Sequence, residues 1–324
     1  MGSAMPLSEL TQKIQHSGFG GSAEMVRATV QTLAACAAGS KAATREALGK
    51  ELEGKVFEIL RVTPSIAPRL NLFHRLMRAV EDAQASSEPV AEMRAGLAGT
   101  AQAYLIQQDS AIAAIGQVGA ALIRDGDIIF TYSTSGTVAS IFQEAHRQGK
   151  RFSVRVTESR PANEGHRTAQ EVVDLGLPIT VGIDAAMGLL IPGCSMFLVG
   201  ADVITAGGSA LCKVGTYPAA LVARAHGVPF RIAADTSKFD PLTLLGFPLR
   251  VRQRTWTEVF PGISAEKKSI LGNTFDVTPS HLITELVTER GIIHPAAVSG
   301  LMQGFPSSPR LTEALQTWWR ERWS

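Results

Sequence analysis

Asp202, Lys213, Gly215 and Thr216 flank a glycine-rich segment, Ala206-Gly207-Gly208-Ser209, and are the residues here best suited to chemistry. An apolar run, Met196 to Val199, precedes them. A helical pattern from Pro218 to His226 and a second apolar run, Pro229 to Ala234, follow. Apolar strand, polar loop, helix and apolar strand make the βαβ unit of a parallel sheet. Ligands of such sheets sit beyond the C-terminal ends of the strands. A carboxylate and an ammonium on that rim could move a proton and hold an anion. The same pair could equally be a helix-capping aspartate and a solvated lysine.

A second constellation begins at Ser133. The buried-type run Ile128-Ile129-Phe130-Thr131-Tyr132 enters Ser133-Thr134-Ser135-Gly136-Thr137, and a helix from Val138 to Gln148 follows. Small hydroxyl residues and a glycine at a strand-to-helix turn leave backbone N–H groups pointing outward, an anion seat. Ser135, Gly136 and Thr137 are its candidates, although Ser and Thr also serve as ordinary N-caps. Arg160 closes a further strand, Phe152 to Val156, with its loop. There a guanidinium could grip a phosphate in bidentate fashion or form an ion pair with Glu158. Neither a GxGxxG nor a GxxxxGK[ST] loop is present, so no dinucleotide or P-loop cofactor site is expected.

These residues need a scaffold, and its texture changes at Arg124-Asp125. Before it, Ser22–Ala38, Ala42–Leu60, Leu70–Val80 and Glu92–Ile123 carry apolar residues at helical spacing, interrupted by Val62-Thr63-Pro64-Ser65. After it, strands alternate with helices: Ile179–Ile183 follows the helix Thr168–Leu175, and Asp184–Leu190 precedes Met196. The pattern predicts an α/β protein, an N-terminal helical domain over 1–124 followed by a Rossmann-like, doubly wound, mostly parallel sheet over 125–324. Residues 241–272 read as an insertion. Thr278-Pro279-Ser280 reads as the cap of a helix from His281 to Arg290. The tail carries Trp318, Trp319 and Trp323, suited to docking on the parent domain or to an oligomer contact.

Composition narrows the function classes. The chain has 324 residues, 45% of them apolar and 19% charged, with a net charge of +2. That balance gives no electrostatic argument for nucleic acid, and no apolar run is long enough to span a bilayer. Cys36, Cys194 and Cys212 are widely separated, and none of the seven histidines lies at a ligand spacing. No metal or disulfide framework is therefore expected, and a reducing, cytoplasmic setting is.

Taken together, several motifs resemble a known family. They are Phe152-Ser-Val-Arg-Val-Thr-Glu-Ser-Arg-Pro161, Gly165, Pro178-Ile-Thr-Val181 with Asp184-Ala-Ala186, Val199-Gly-Ala-Asp202, Lys213-Val-Gly-Thr216, Pro229-Phe230, Lys238-Phe239 and Gly291-Ile-Ile-His-Pro295. The chain resembles the regulatory (alpha, beta, delta) subunits of eukaryotic initiation factor 2B and their relatives, the ribose-1,5-bisphosphate and methylthioribose-1-phosphate isomerases. The resemblance implies a helical domain on a Rossmann-like one, a homodimer, and a phosphorylated sugar or nucleotide as ligand, with translation-factor partners in the first branch. In the isomerase branch a cysteine and an aspartate form the catalytic pair, at the positions of Ser133 and Asp202. Ser135, Gly136, Thr137, Arg160, Lys213, Gly215 and Thr216 make the expected ligand-binding set.

The chain departs from the isomerases elsewhere. Cys212 stands where they carry asparagine, and Phe19-Gly20-Gly21 and Thr63-Pro64-Ser65 lack their arginines. A thiol with a pKa of ~8.5 can protonate a leaving ring oxygen near neutrality, whereas a serine hydroxyl is a far weaker acid. The expectation is therefore a ligand-binding protein of regulatory or assembly type. The alternative is an aldose-1-phosphate to ketose-1-phosphate isomerase with Ser133 in place of the cysteine.

Overall fold

A computed structural model describes residues 4–16, 19, 22–62, 67–247, 249, 259 and 273–323. Two compact units emerge, one of residues 1–109 with 304–324 and one of 110–303. These limits differ from the change of sequence texture at Arg124.

The first unit is helical: α1 (Leu7–Gln15), α2 (Ser22–Gly39), α3 (Arg45–Val62), α4 (Ala67–Ala85) and the start of α5 (Val90–Ala120). Its core forms where the predicted apolar positions meet, with Ala37, Leu48, Leu52, Val80, Met93 and Leu97 in one cluster. The C-terminal helix α11 (Pro309–Trp323) belongs to it. Ser308 tethers that helix, its N–H donating to His74 Nδ1 at 3.2 Å. The loop 63–66, most of the 241–272 insertion and the tryptophan side chains of the tail lie outside the described residues.

The second unit is built on a seven-stranded sheet. Its strands are β1 (Ile128–Thr131), β2 (Ser153–Thr157), β3 (Ile179–Gly182), β4 (Met196–Gly200), β7 (Phe230–Ala233), β10 (Glu285–Thr288) and β11 (Gly291–Ile293). They run in the order β11-β10-β7-β4-β1-β2-β3, and only β11 pairs antiparallel. Side chains alternate between faces along each strand. One face carries Ile129, Val154, Met196 and Leu198 against Ile115, Val138, Ile141 and Phe142 of α5 and α6 (Gly136–Arg147). The neighbouring positions Phe130, Phe197 and Phe230 pack across three strands, the first pair tilted with ring centroids 5.1 Å apart and the second stacked at 4.4 Å. Helices α7 (Gly165–Asp174), α8 (Met187–Leu190), α9 (Thr216–Ala225) and α10 (Val298–Met302) complete the unit.

Two expectations are corrected. His281–Arg290 is not a helix: a 3-10 turn at Ser280–Leu282 leads into β10. Leu286 and Val287 are fully buried there beside β7, and the β-branched Val287 and Thr288 suit a strand buried on both faces, which helical spacing did not reveal. The segment between β4 and α9 is likewise not a plain loop. It folds as the hairpin β5 (Val203–Thr205) and β6 (Ala210–Lys213), which joins β8 (Phe239–Asp240) and β9 (Phe275–Thr278) in a separate four-stranded sheet. The Ala206–Ser209 segment is the turn of that hairpin. Gly208 adopts φ +76, and a Cβ there would stand 2.5 Å from the Pro295 carbonyl oxygen.

Asp240 in this small sheet gives a stability prediction. It is 8% exposed, accepts a hydrogen bond from Leu242 N–H, and is pushed up to about 6 by burial. A folded pKa above the unfolded value means that the fold penalises the ionised form. The penalty is absent below about pH 4 and complete above about pH 6, roughly 3 kcal/mol. Wild-type stability should fall as pH rises through that window. Asp240→Asn, which keeps the acceptor oxygen, should flatten the decline in urea unfolding at pH 4 and pH 8.

Candidate functional site

The sheet reverses its winding between β1 and β4. From β1 the chain moves outward to β2 and β3, then returns to β4 on the other side and continues to β7 and β10. The crevice beyond the C-terminal ends of these two central strands is where open α/β sheets bind ligands. Ser133–Thr137 leave β1 there, and Asp202 follows β4. The two ends touch: a Cβ on Gly200 would lie 2.2 Å from Ser135 Oγ, so only glycine lets the turns close together.

Ser133 is 7% exposed and adopts φ 63, a left-handed conformation uncommon for a residue with a Cβ. The surroundings impose it. The Ser133 N–H donates to Ser159 Oγ at 2.7 Å, and its carbonyl accepts from Thr168 Oγ1 at 2.8 Å. Ser159 N–H and Arg160 N–H in turn donate to the Asp184 carboxylate at 2.8 and 2.7 Å. Non-glycine residues held in sparsely populated conformations gather at functional sites.

Ser135 caps α6, accepting from Val138 N–H at 3.4 Å and sharing a 2.8 Å hydrogen bond with Thr137 Oγ1. Thr137 Oγ1 donates to the Ala233 carbonyl at the end of β7. Both hydroxyls are thus structural. The amides of Gly136 and Thr137, in the first turn of α6, have no acceptor within the helix and can hold an anion. Asp202 is half-buried, and its N–H donates to the Leu211 carbonyl at 2.9 Å.

Lys213, Gly215 and Thr216 form the turn from β6 into α9, joined to the β1 end by Tyr132. The Tyr132 hydroxyl donates to the Val214 carbonyl at 2.9 Å. Gly215 is required twice over, by φ +105 and because a Cβ would stand 2.4 Å from Tyr132 Oη. Burial holds the Tyr132 phenol well above its ordinary range, with Asp184, Asp276 and Glu164 adding to the effect. Tyr132 is therefore a neutral donor at any ordinary pH.

The N-terminus of α9 already holds an anion. Gly215 N–H and Tyr217 N–H donate to Asp276 Oδ2 at 2.7 and 3.1 Å. Burial pushes Asp276 up to about 6, against the lowering effect of those two amides. Thr216 is 1% exposed, and its hydroxyl donates to the Lys213 carbonyl at 2.7 Å. The Lys213 ammonium is paired with Glu164 Oε1 and lies 5.2 Å from the centre of the Phe275 ring. Arg160 is exposed, its guanidinium donating to the Val259 carbonyl at 3.0 Å. Cys212 is buried, and burial first, then Asp276 and Asp202, drive its thiol far above the usual range while Lys238 opposes them. That thiol is no proton donor near neutrality.

The turn that runs from Ser133 into α6 and the Gly200 end of β4 therefore meet at the switch point, with Asp202 two residues on. Lys213, Gly215 and Thr216 are tied to the β1 end through Tyr132, with the Lys213 ammonium and the Thr216 hydroxyl engaged inside the protein. Sequence reasoning missed Glu164, Asp276 and Tyr132 as site residues. The available signal was Phe-Asp-Val-Thr-Pro279, whose aspartate stands on a strand facing the Lys213 turn.

Residues 19–295 match the family model described as the Initiation factor 2 subunit family. The chain is 33% identical over 299 residues to a ribose 1,5-bisphosphate isomerase of Pyrococcus furiosus, covering 91% of this chain and 92% of that one. It is 37% identical over 206 residues to a methylthioribose-1-phosphate isomerase of Nitratidesulfovibrio vulgaris, covering 59% of each chain. Among solved structures, a Pyrococcus horikoshii translation initiation factor eIF-2B superposes with a TM-score of 0.74 at 30% identity, over 89% of this chain and 97% of that one.

Proposed function

This chain belongs to the Initiation factor 2 subunit family, and from that premise we propose that it isomerises an aldose 1-phosphate to the ketose 1-phosphate. The observation that carries this reading is the meeting of the Ser133 turn and the Asp202 strand end at the switch point of the sheet. The names of its relatives support the same class: two kinds of aldose-1-phosphate isomerase match it at 33% identity or more.

The reaction needs no oxidant. The C1–O4 ring bond breaks and O4 takes a proton. The hydrogen on C2 moves to C1, and the C2 hydroxyl loses its proton to become the ketone. The amides at the start of α6 hold the 1-phosphate beside the reacting carbons. Asp202 accepts the C2 hydroxyl proton and returns it toward O4. Ser133 hydrogen-bonds the ring oxygen as a neutral donor, weaker than a thiol would be.

The weakness of that donor supports a second reading, a ligand sensor that binds the sugar phosphate without converting it. One experiment separates the two: incubation with ribose 1-phosphate, ribose 1,5-bisphosphate and methylthioribose 1-phosphate, with NMR detection of ketose product. Ketose formation carries the isomerase reading, and binding without product carries the sensor. Ser133→Cys is expected to raise turnover about 10-fold, since a thiol donates its proton more readily. An unchanged rate would remove Ser133 from the reacting position.

A further inference from the structure

The neighbouring strands β1, β2 and β3 end in step, and each hands its chain to one member of a single network. β1 ends at Thr131, β2 at Thr157 and β3 at Gly182, and Ser133, Ser159 and Asp184 each stand two residues on. Ser133 and Ser159 are buried, and both adopt left-handed backbone, at φ 63 and 62. A residue with a Cβ leaves that region unless its surroundings hold it there. Ser159 holds Ser133, whose N–H donates to Ser159 Oγ at 2.7 Å. Ser159 must itself be held, and the clamp is Asp184. Its Oδ1 accepts from Ser159 N–H at 2.8 Å and its Oδ2 from Arg160 N–H at 2.7 Å. Successive N–H groups that converge in a turn make a seat for an anion, and here the anion belongs to the protein. The seat asks for a carboxylate. An asparagine would offer one oxygen and turn its NH2 group toward the other N–H. Both hydrogen bonds are charge-assisted, hence stronger than neutral ones. Asp184 starts a separate 3-10 turn, Asp184–Ala186, so its place is set by β3 and not by the residues it holds.

We propose that Asp184 is a positioning residue: through Ser159 it fixes the left-handed turn that places Ser133 for the reaction. Its action is indirect, with Ser133 one hydrogen bond beyond the backbone it clamps. The inference rests on the isomerase reading above and adds the residue on which the placing of the ring-oxygen donor depends. Placement matters most for a weak donor, and a displacement of about 1 Å can cost about 100-fold in rate.

The test compares wild type, Asp184→Asn, Ser159→Ala and the double variant by two measurements. The first is hydrogen exchange of the backbone amides, followed by NMR. The Ser133 amide should exchange at least about 10-fold faster in each variant, while Ile129 and Phe130 inside β1 keep their wild-type rates. The second is steady-state kinetics with ribose 1-phosphate, ribose 1,5-bisphosphate and methylthioribose 1-phosphate. Turnover should fall about 10- to 100-fold with KM within about 3-fold of wild type. The double variant should lose no more than the worse single one, since both act through the same hydrogen bond. A merely structural aspartate predicts otherwise: faster exchange throughout β1, and losses that multiply. Either of those results would overturn the inference, as would an unchanged Ser133 exchange rate or an unchanged kcat in Asp184→Asn. If the wild-type protein forms no ketose from any of the three substrates, the isomerase reading falls. The Ser133 exchange rate by itself then decides whether Asp184 fixes the turn.

Discussion

Asp202→Asn is expected to lower the turnover of an aldose 1-phosphate by about 10³-fold while leaving KM within about 3-fold of wild type. Asn fills the same volume and keeps one carbonyl oxygen, but it cannot take and return a proton. The fold has little stake in the change. Position 202 is tied to Leu211 through its backbone N–H, and β4 ends before it. Binding should survive because the proposed phosphate seat, the amides at the start of α6, follows the other strand. Steady-state kinetics with NMR detection, beside calorimetry on the same variant, separates the two quantities. A turnover within about 10-fold of wild type would remove Asp202 from the chemistry. A lost Kd with an unchanged kcat would make it a binding residue.

The largest stability effect is expected at Gly165. It is buried at the start of α7, and a Cβ there would stand 1.8 Å from the Thr157 carbonyl oxygen and 2.9 Å from its carbon. The obstacle is backbone at the end of β2, so no rotamer change relieves it. Gly165→Ala must push α7 away from the strand, at a cost of about 3 kcal/mol or more. The displacement also reaches the site. Glu164 precedes this residue, and Thr168, one turn on, holds the Ser133 carbonyl. Urea unfolding should therefore show a lower midpoint, and any isomerase activity should fall with it. Gly188→Ala is the matching control. It lies in α8 with nothing within 4 Å of the added carbon, and should be neutral or slightly stabilising. Equal midpoints for the two variants would show that α7 does not press on β2 as closely as described.

The alternation of apolar runs with helical patterns from Ile128 to Ala234 was enough to determine the class of fold. The strand ends read from it, Tyr132, Val156 and Val199, each fall one residue from the observed Thr131, Thr157 and Gly200. The candidate turns are read from it too, since glycine and small hydroxyl residues between a strand and a helix have local physical reasons to be there. Ser133–Thr137 and Asp202 were legible as candidates on those grounds, and the roles proposed for them come from the family resemblance.

Whatever depended on contacts distant in sequence was decided by the tertiary structure. Residues 281–290 have helical spacing, but they fill the place between β7 and β11, and pairing with those strands prevailed over local pattern. The hairpin after Asp202 forms because β9, more than sixty residues on, supplies its partner strand. Lys213 read as an open cation, and only folding brings Glu164 onto it and Asp276 onto the amides beside it. A sequence states which charges a chain carries. Which of them neutralise one another is fixed by distance, because the Coulomb energy depends on separation and burial, neither of which a linear order contains.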